Sequence, residues 1–174
     1  MRKTFFIITI FITFFGCSIK HDYIWQEYKI DPHRLTSQFN RENAHQLKII
    51  KGKADESEII IFQAGPHQFY SDYLELTNAM ADQLMRELQK KGIKIVNSTE
   101  KSLEVKVVKT DFEAGMWMSA AILNVEVTLG GEKTKSFRVR NSSPNGVNGA
   151  FDGAVALTVI EIINDSEVAA YINN

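Results

Sequence analysis

The stretch that decides the fold is Met116 to Arg140, MWMSAAILNVEVTLGGEKTKSFRVR. From Met116 to Leu129 the odd-numbered residues Trp117, Ala121, Leu123, Val125, Val127 and Leu129 line one side, and Asn124, Glu126 and Thr128 the other. Strict alternation of this kind is the mark of a β-strand with one buried face. Gly130-Gly131 then reads as a two-residue hairpin turn. The return strand, Lys133 to Arg140, turns Phe137 and Val139 inward and Arg138 and Arg140 outward. A polar outer side with an apolar inner one predicts an antiparallel sheet with one wet face.

Working upstream, Leu103 to Val108 repeats the alternation, with Leu103, Val105 and Val107 against Glu104 and Lys106, and Ile93 to Val96 is a brief strand. Asp72 to Lys91 is the clearest helix. Leu74, Thr77, Ala81, Leu84 and Leu88 recur at spacings of three and four, Asp72 with Glu75 forms a variant capping box, and Gly92 is placed to stop the helix. Leu47 to Ile50 and Glu58 to Gln63 are short β-branched runs separated by KGKADES, and Ala64-Gly65-Pro66-His67 is a turn. Downstream, the loop NSSPNGVN (Asn141 to Asn148) leads into a helix from about Gly149 to Asn164. Its apolar residues reach nearly round the helix, so it needs more than one covering surface. A short helix, Glu167 to Ile172, follows with Ser166 as its expected cap. The predicted class is α+β, an antiparallel sheet of about four to five strands with two helices packed on one face, ordered β-α-β-β-β-α from Glu58.

The amino-terminal end has a different character. Arg2 and Lys3 precede an apolar run from Phe5 to Phe15, broken only by Thr9 and Thr13. Its roughly 11 residues fall short of the ~20 that a bilayer span requires, which makes it a signal-peptide core. The chain's single cysteine, Cys17, stands directly after Gly16 where a signal peptidase would cut. Residues 1–16 are therefore read as a cleaved leader, 17–46 as a lipidated end with a tether and an irregular arm, and 47–174 as one domain. Within the arm Tyr23, Ile24, Trp25, Tyr28 and Ile30 cluster. They either dock on the domain or present a surface to a partner or to the membrane interface.

Gly16-Cys17 resembles the lipobox of bacterial lipoproteins, although Phe14-Phe15 stands where that signal usually has Leu and a small residue. The resemblance implies a diacylglyceryl group on the Cys17 sulfur, acylation of its new amine and no further cofactor. Ser18 in place of Asp implies the periplasmic face of an outer membrane where the organism has one. With the helix end Leu84 to Gly92, the strand Ile93 to Val96, the Gly130-Gly131 hairpin and the stretch Lys133 to Ile172, the chain resembles YajG-like bacterial lipoproteins. More loosely it is similar to the N-terminal module of the translocation protein TolB. In that last stretch Lys135, Arg138, Gly149, Ala150, Phe151 and Asp165 to Ile172 carry the likeness. The family supplies no catalytic residues.

Composition excludes several functions. A formal net charge of −1, with 20 Lys and Arg spread among 21 Asp and Glu, offers no basic stripe for nucleic acid. His21, His33, His45 and His67 lack metal-ligand spacing, and no GxSxG elbow surrounds a serine. Asp111 and Glu113 read as a solvated turn rather than a catalytic pair. The glycines 146, 149 and 153 lack a phosphate-loop ending and read as close backbone approach. The expectation is a non-enzymatic, lipid-anchored envelope protein with Trp25, Tyr28, Arg138 and Arg140 as candidate ligand or partner surface. Its partners would be the membrane and another envelope protein or cell-wall material. The alternative is a module binding a small hydrophobic or cell-wall ligand between helices and sheet.

Overall fold

The computed structural model describes residues 18–39 and 46–174. Among the described residues eight strands and three α-helices follow in chain order: β1 (Ile19–Asp22), β2 (Gln46–Lys51), β3 (Ile59–Ala64), β4 (His67–Ser71), α1 (Tyr73–Lys90), β5 (Lys94–Ile95), β6 (Ser102–Glu113), β7 (Ser119–Leu129), β8 (Lys133–Ser143), α2 (Gly146–Asn164) and α3 (Ser166–Asn173). Five strands form the main sheet in the order β5-β2-β6-β7-β8, and three form a small one, β1-β4-β3. The class is α+β as expected, with α1 and α2 against one face of the main sheet.

The alternation around Gly130-Gly131 produces the centre of that sheet. Leu103, Val105, Leu123, Val125 and Val127 are wholly buried beneath the helices. Gly130 and Gly131 both adopt positive φ, 61° and 77°, which a mirror-image turn demands and which costs glycine least. Leu129 faces Lys133, so the connection runs from Gly130 to Glu132, one residue more than expected.

Other expectations require correction. The sheet is mixed: β2 lies parallel to both β5 and β6, because the segment between them crosses over through α1. The run beginning at Leu47 joins the main sheet, whereas β3 folds back on β4 across the Gly65-Pro66 turn. Trp117 does not extend the inner face of β7, since the strand starts at Ser119. Asp111 and Glu113 belong to β6, not to a turn. The cap of α3 is Asp165, which accepts from the N–H groups of Glu167 and Val168 at 3.0 Å each.

Each helix covers more than one surface. Asp72 caps α1 as expected, accepting from the Glu75 N–H. Its buried face is wider than one stripe, adding Leu76, Met80, Gln83 and Glu87, because α2 and the arm also lie against it. By length and composition α2 would suit a membrane span, yet most of it is buried within the fold. Sheet, α1 and arm enclose it, which answers its all-round apolar character. Gly153 of α2 passes so close to β8 that a Cβ would collide with the Asn141 side chain, whose amide donates to the carbonyls of Gly149 and Ala150 at 3.2 and 3.0 Å. The interface between helices and sheet is filled by Leu84, Leu103, Leu123, Phe151 and Val155, all fully buried.

Candidate functional site

The segment left irregular by its sequence pattern is built into the molecule. Only Ser18 separates Cys17, which lies outside the described residues, from β1. β1 pairs in parallel with β4 from Ile19 opposite His67, and the Ile19 N–H donates to the Pro66 carbonyl at 2.6 Å. Lys20 lies over the Tyr70 ring, 4.9 Å from its centroid, and pairs with Glu58 and with Asp22. Across the same pair of strands His21 Nε2 meets His67 Nδ1 at 2.9 Å, and His21 stacks on Phe69 at 4.8 Å. These two histidines, 46 residues apart and isolated in the sequence, are neighbours in space. Among the described residues no group of three or more His, Cys, Asp or Glu could hold a metal.

Past β1 the arm crosses the helices. Tyr23 is buried and donates its hydroxyl to Asp152 Oδ1 at 2.5 Å, and the Gln26 N–H reaches the same oxygen at 3.2 Å. Burial raises the Asp152 carboxyl above its usual value, since desolvation outweighs the two donated hydrogen bonds. Burial also raises the Tyr23 phenol, and the neighbouring carboxylate adds to it. Further along, Gln83 Nε2 donates to the Tyr28 carbonyl at 2.8 Å and Lys91 to that of Leu35. Asn164 accepts from the N–H groups of Thr36 and Ser37 at 2.8 and 3.3 Å and donates to the Arg34 carbonyl at 2.7 Å. Ile30 and Leu35 are buried between these ties.

The four candidate surface residues fall in separate places. Trp25 is half-buried beneath Arg86 of α1, 5.4 Å from its ring, and its indole N–H is buried without a hydrogen-bond partner. Tyr28, half exposed, rims a cleft of about 200 Å³ with Arg34, Ser142, Asn145, Gly149 and Leu157. Arg138 is exposed and lines a shallow groove with Lys135, Phe137, Ile160 and Glu161, near the carboxyl-terminal end of α2. Arg140 pairs with Glu113 at 2.7 Å and donates to Ser142 at 2.7 Å. Lys135 and Asp165, both singled out by resemblance, bond to each other at 2.6 and 2.7 Å and tie β8 to the start of α3. The strongest exposed apolar feature is one that the alternation hides: Met116, Trp117 and Met118 at the β6–β7 turn are 90%, 84% and 51% exposed. Its signal was an uncharged triplet directly after Gly115.

No family model matches the chain, and no curated protein matches it. Three solved structures are similar in shape. A DUF330-family protein from Xanthomonas campestris superposes with a TM-score of 0.53 at 14% identity, covering 89% of this chain and 96% of that one. A homolog of neuraminyllactose-binding hemagglutinin from Helicobacter pylori gives 0.47 at 11% identity, covering 84% and 94%. Lipoprotein GNA1162 from Neisseria meningitidis gives 0.38 at 11% identity, covering 70% and 99%. The first of these shows a shared fold.

Proposed function

We propose that this chain is a lipid-anchored lipoprotein of the cell envelope, of the YajG-like kind, acting without catalysis by presenting its folded body to another envelope protein or to cell-wall material. The observation that carries this reading is the placement of Cys17. It closes a short apolar run with a basic start and stands two residues before the first strand of the body. Two or three acyl chains on that residue, each buried CH₂ contributing about 0.8 kcal/mol, hold a protein durably at a bilayer. Where the host has an outer membrane, Ser18 favours its periplasmic face. The non-enzymatic part of the reading is supported by how the buried polar side chains are used: Asp152 holds the arm, Thr77 accepts from the sheet, and Glu87 pairs with Lys90. Trp25, Tyr28, Arg138 and Arg140 are the residues offered for contact.

Fractionation of cells expressing the full chain tests the anchor. The wild-type protein is expected in the membrane fraction and to need detergent for release, and Cys17→Ala in the soluble envelope fraction. Equal partition of the two proteins would overturn the reading.

A further inference from the structure

The Met116-Trp117-Met118 tip has no role in the core, and its side chains stand in solvent. A largely exposed tryptophan between two exposed methionines is an unusual protein surface, and Gly115 to Ser119 contains no charged residue. The nearest acid before it, Glu113, is paired with Arg140 at 2.7 Å.

The strand that leads into this tip lies alongside β3, and the turn after β3 meets the start of β1. β3 runs along the end of β6: Phe62 packs on Phe112 with ring centroids 4.4 Å apart, and Gln63 and Ala114 wall one groove. Gln63 stands two residues before the Gly65-Pro66 turn, and Ala114 two before Met116. That turn also receives the first residue of β1, through the Ile19 N–H on Pro66. Aromatic contacts running from His21 through Phe69, Phe62 and Phe112 to Phe151 fix the small sheet on the core, so the two features keep their relative position. Cys17 precedes Ile19 by two residues in the sequence.

We propose that the Met116–Met118 tip is a second membrane contact, entering the headgroup and acyl boundary of the phospholipid bilayer that holds Cys17. The inference rests on the lipid-anchor reading of Cys17. An anchor without a long tether brings this end of the body against the headgroups. Interfacial apolar groups sit about 5–10 Å deep, a distance that a hairpin tip spans. Tryptophan suits the site because its ring is apolar while its N–H stays within reach of the headgroups. Ile19, 46% exposed at the start of β1, adds apolar surface at the turn end of the small sheet.

Trp25 and Trp117 are the chain's two tryptophans, so Trp25→Phe leaves Trp117 as sole reporter. The chain from Cys17 onward, coupled through its one thiol to a maleimide lipid in phosphatidylethanolamine and phosphatidylglycerol vesicles, supplies the anchor chemically. The natively acylated protein goes into the same vesicles in parallel. On both, Trp117 emission is expected to shift to the blue and to lose about half or more of its intensity to brominated acyl chains, as an interfacial depth requires. The lipid-dependent change is expected to disappear in Trp117→Phe, where Trp25 reports. Solution-like, unquenched Trp117 emission on coupled vesicles would overturn the contact. So would a blue shift that needs no lipid and grows with protein concentration, which would assign the tip to a second copy. A native chain found without acyl groups would overturn the anchor reading alone, because the maleimide arm still reads the tip.

Discussion

Two donors from the arm converge on one oxygen of Asp152, a residue 7% exposed inside α2. Desolvation is the larger effect there and raises its carboxyl despite both hydrogen bonds. A carboxyl raised in the folded state contributes stability below its unfolded value and loses that contribution as pH rises through the folded value. Asp165 has the opposite sign: burial pushes it up, but Lys135 and the N–H groups of Val168 and Glu167 pull it further down. Its contribution is present above the ordinary carboxylate range and fades in acid. Asp152→Asn keeps an acceptor for Tyr23 and removes the ionisation. We expect this variant to melt a few degrees above wild type at pH 8 and level with it at pH 4. Thermal melts by circular dichroism check this, and a variant equally destabilised at both values would contradict it. None of this was legible in the sequence, because Tyr23 and Asp152 are 129 residues apart and nothing local links them. Cys17, by contrast, was legible as a candidate because its signal is entirely local.

At the scale of elements, the strip read from Met116 to Arg140 and the helix after Asp72 were recoverable because their periods repeat over many residues. β1 and β4 were not, being four and five residues long with no sustained alternation. The parallel pairings of β2 were hidden for a second reason: partners joined by a crossover carry no turn motif between them. β6 shows what pattern alone omits. Its register slips between Val107 and Lys109, and a bulge there turns the strand so that Phe112 shares the inner side with Ala121. The slip frees the Val107 N–H, and Thr77 Oγ1 of α1 accepts it at 3.0 Å in a fully buried setting. The sequence counted Thr77 only as a member of the apolar stripe. Thr77→Val preserves shape and leaves a buried amide unsatisfied, so it is expected to cost about 1–3 kcal/mol in urea unfolding. A loss within measurement error would show that the bulge does not depend on that hydroxyl.

For the whole molecule, the sequence pattern yields a sheet with helices on one face, and the structure adds a third layer. The arm from Tyr23 to Phe39 lies over α1 and α2, held by Asp152, Gln83, Lys91 and Asn164. Its ties are single side chains from helices far along the chain, a pattern that periodicity does not encode. The position of β1 bears on the proposed anchor. A chain that enters a strand at Ile19 leaves no slack, so acyl chains on Cys17 would hold the body itself, with its histidine pair and apolar tip, close to the bilayer. The direct measurement is mass spectrometry of the amino-terminal peptide of protein purified from membranes. The account predicts a chain beginning at Cys17 and carrying a diacylglyceryl group on sulfur with an acyl group on nitrogen. A chain beginning at Met1, or an unmodified Cys17, would contradict it.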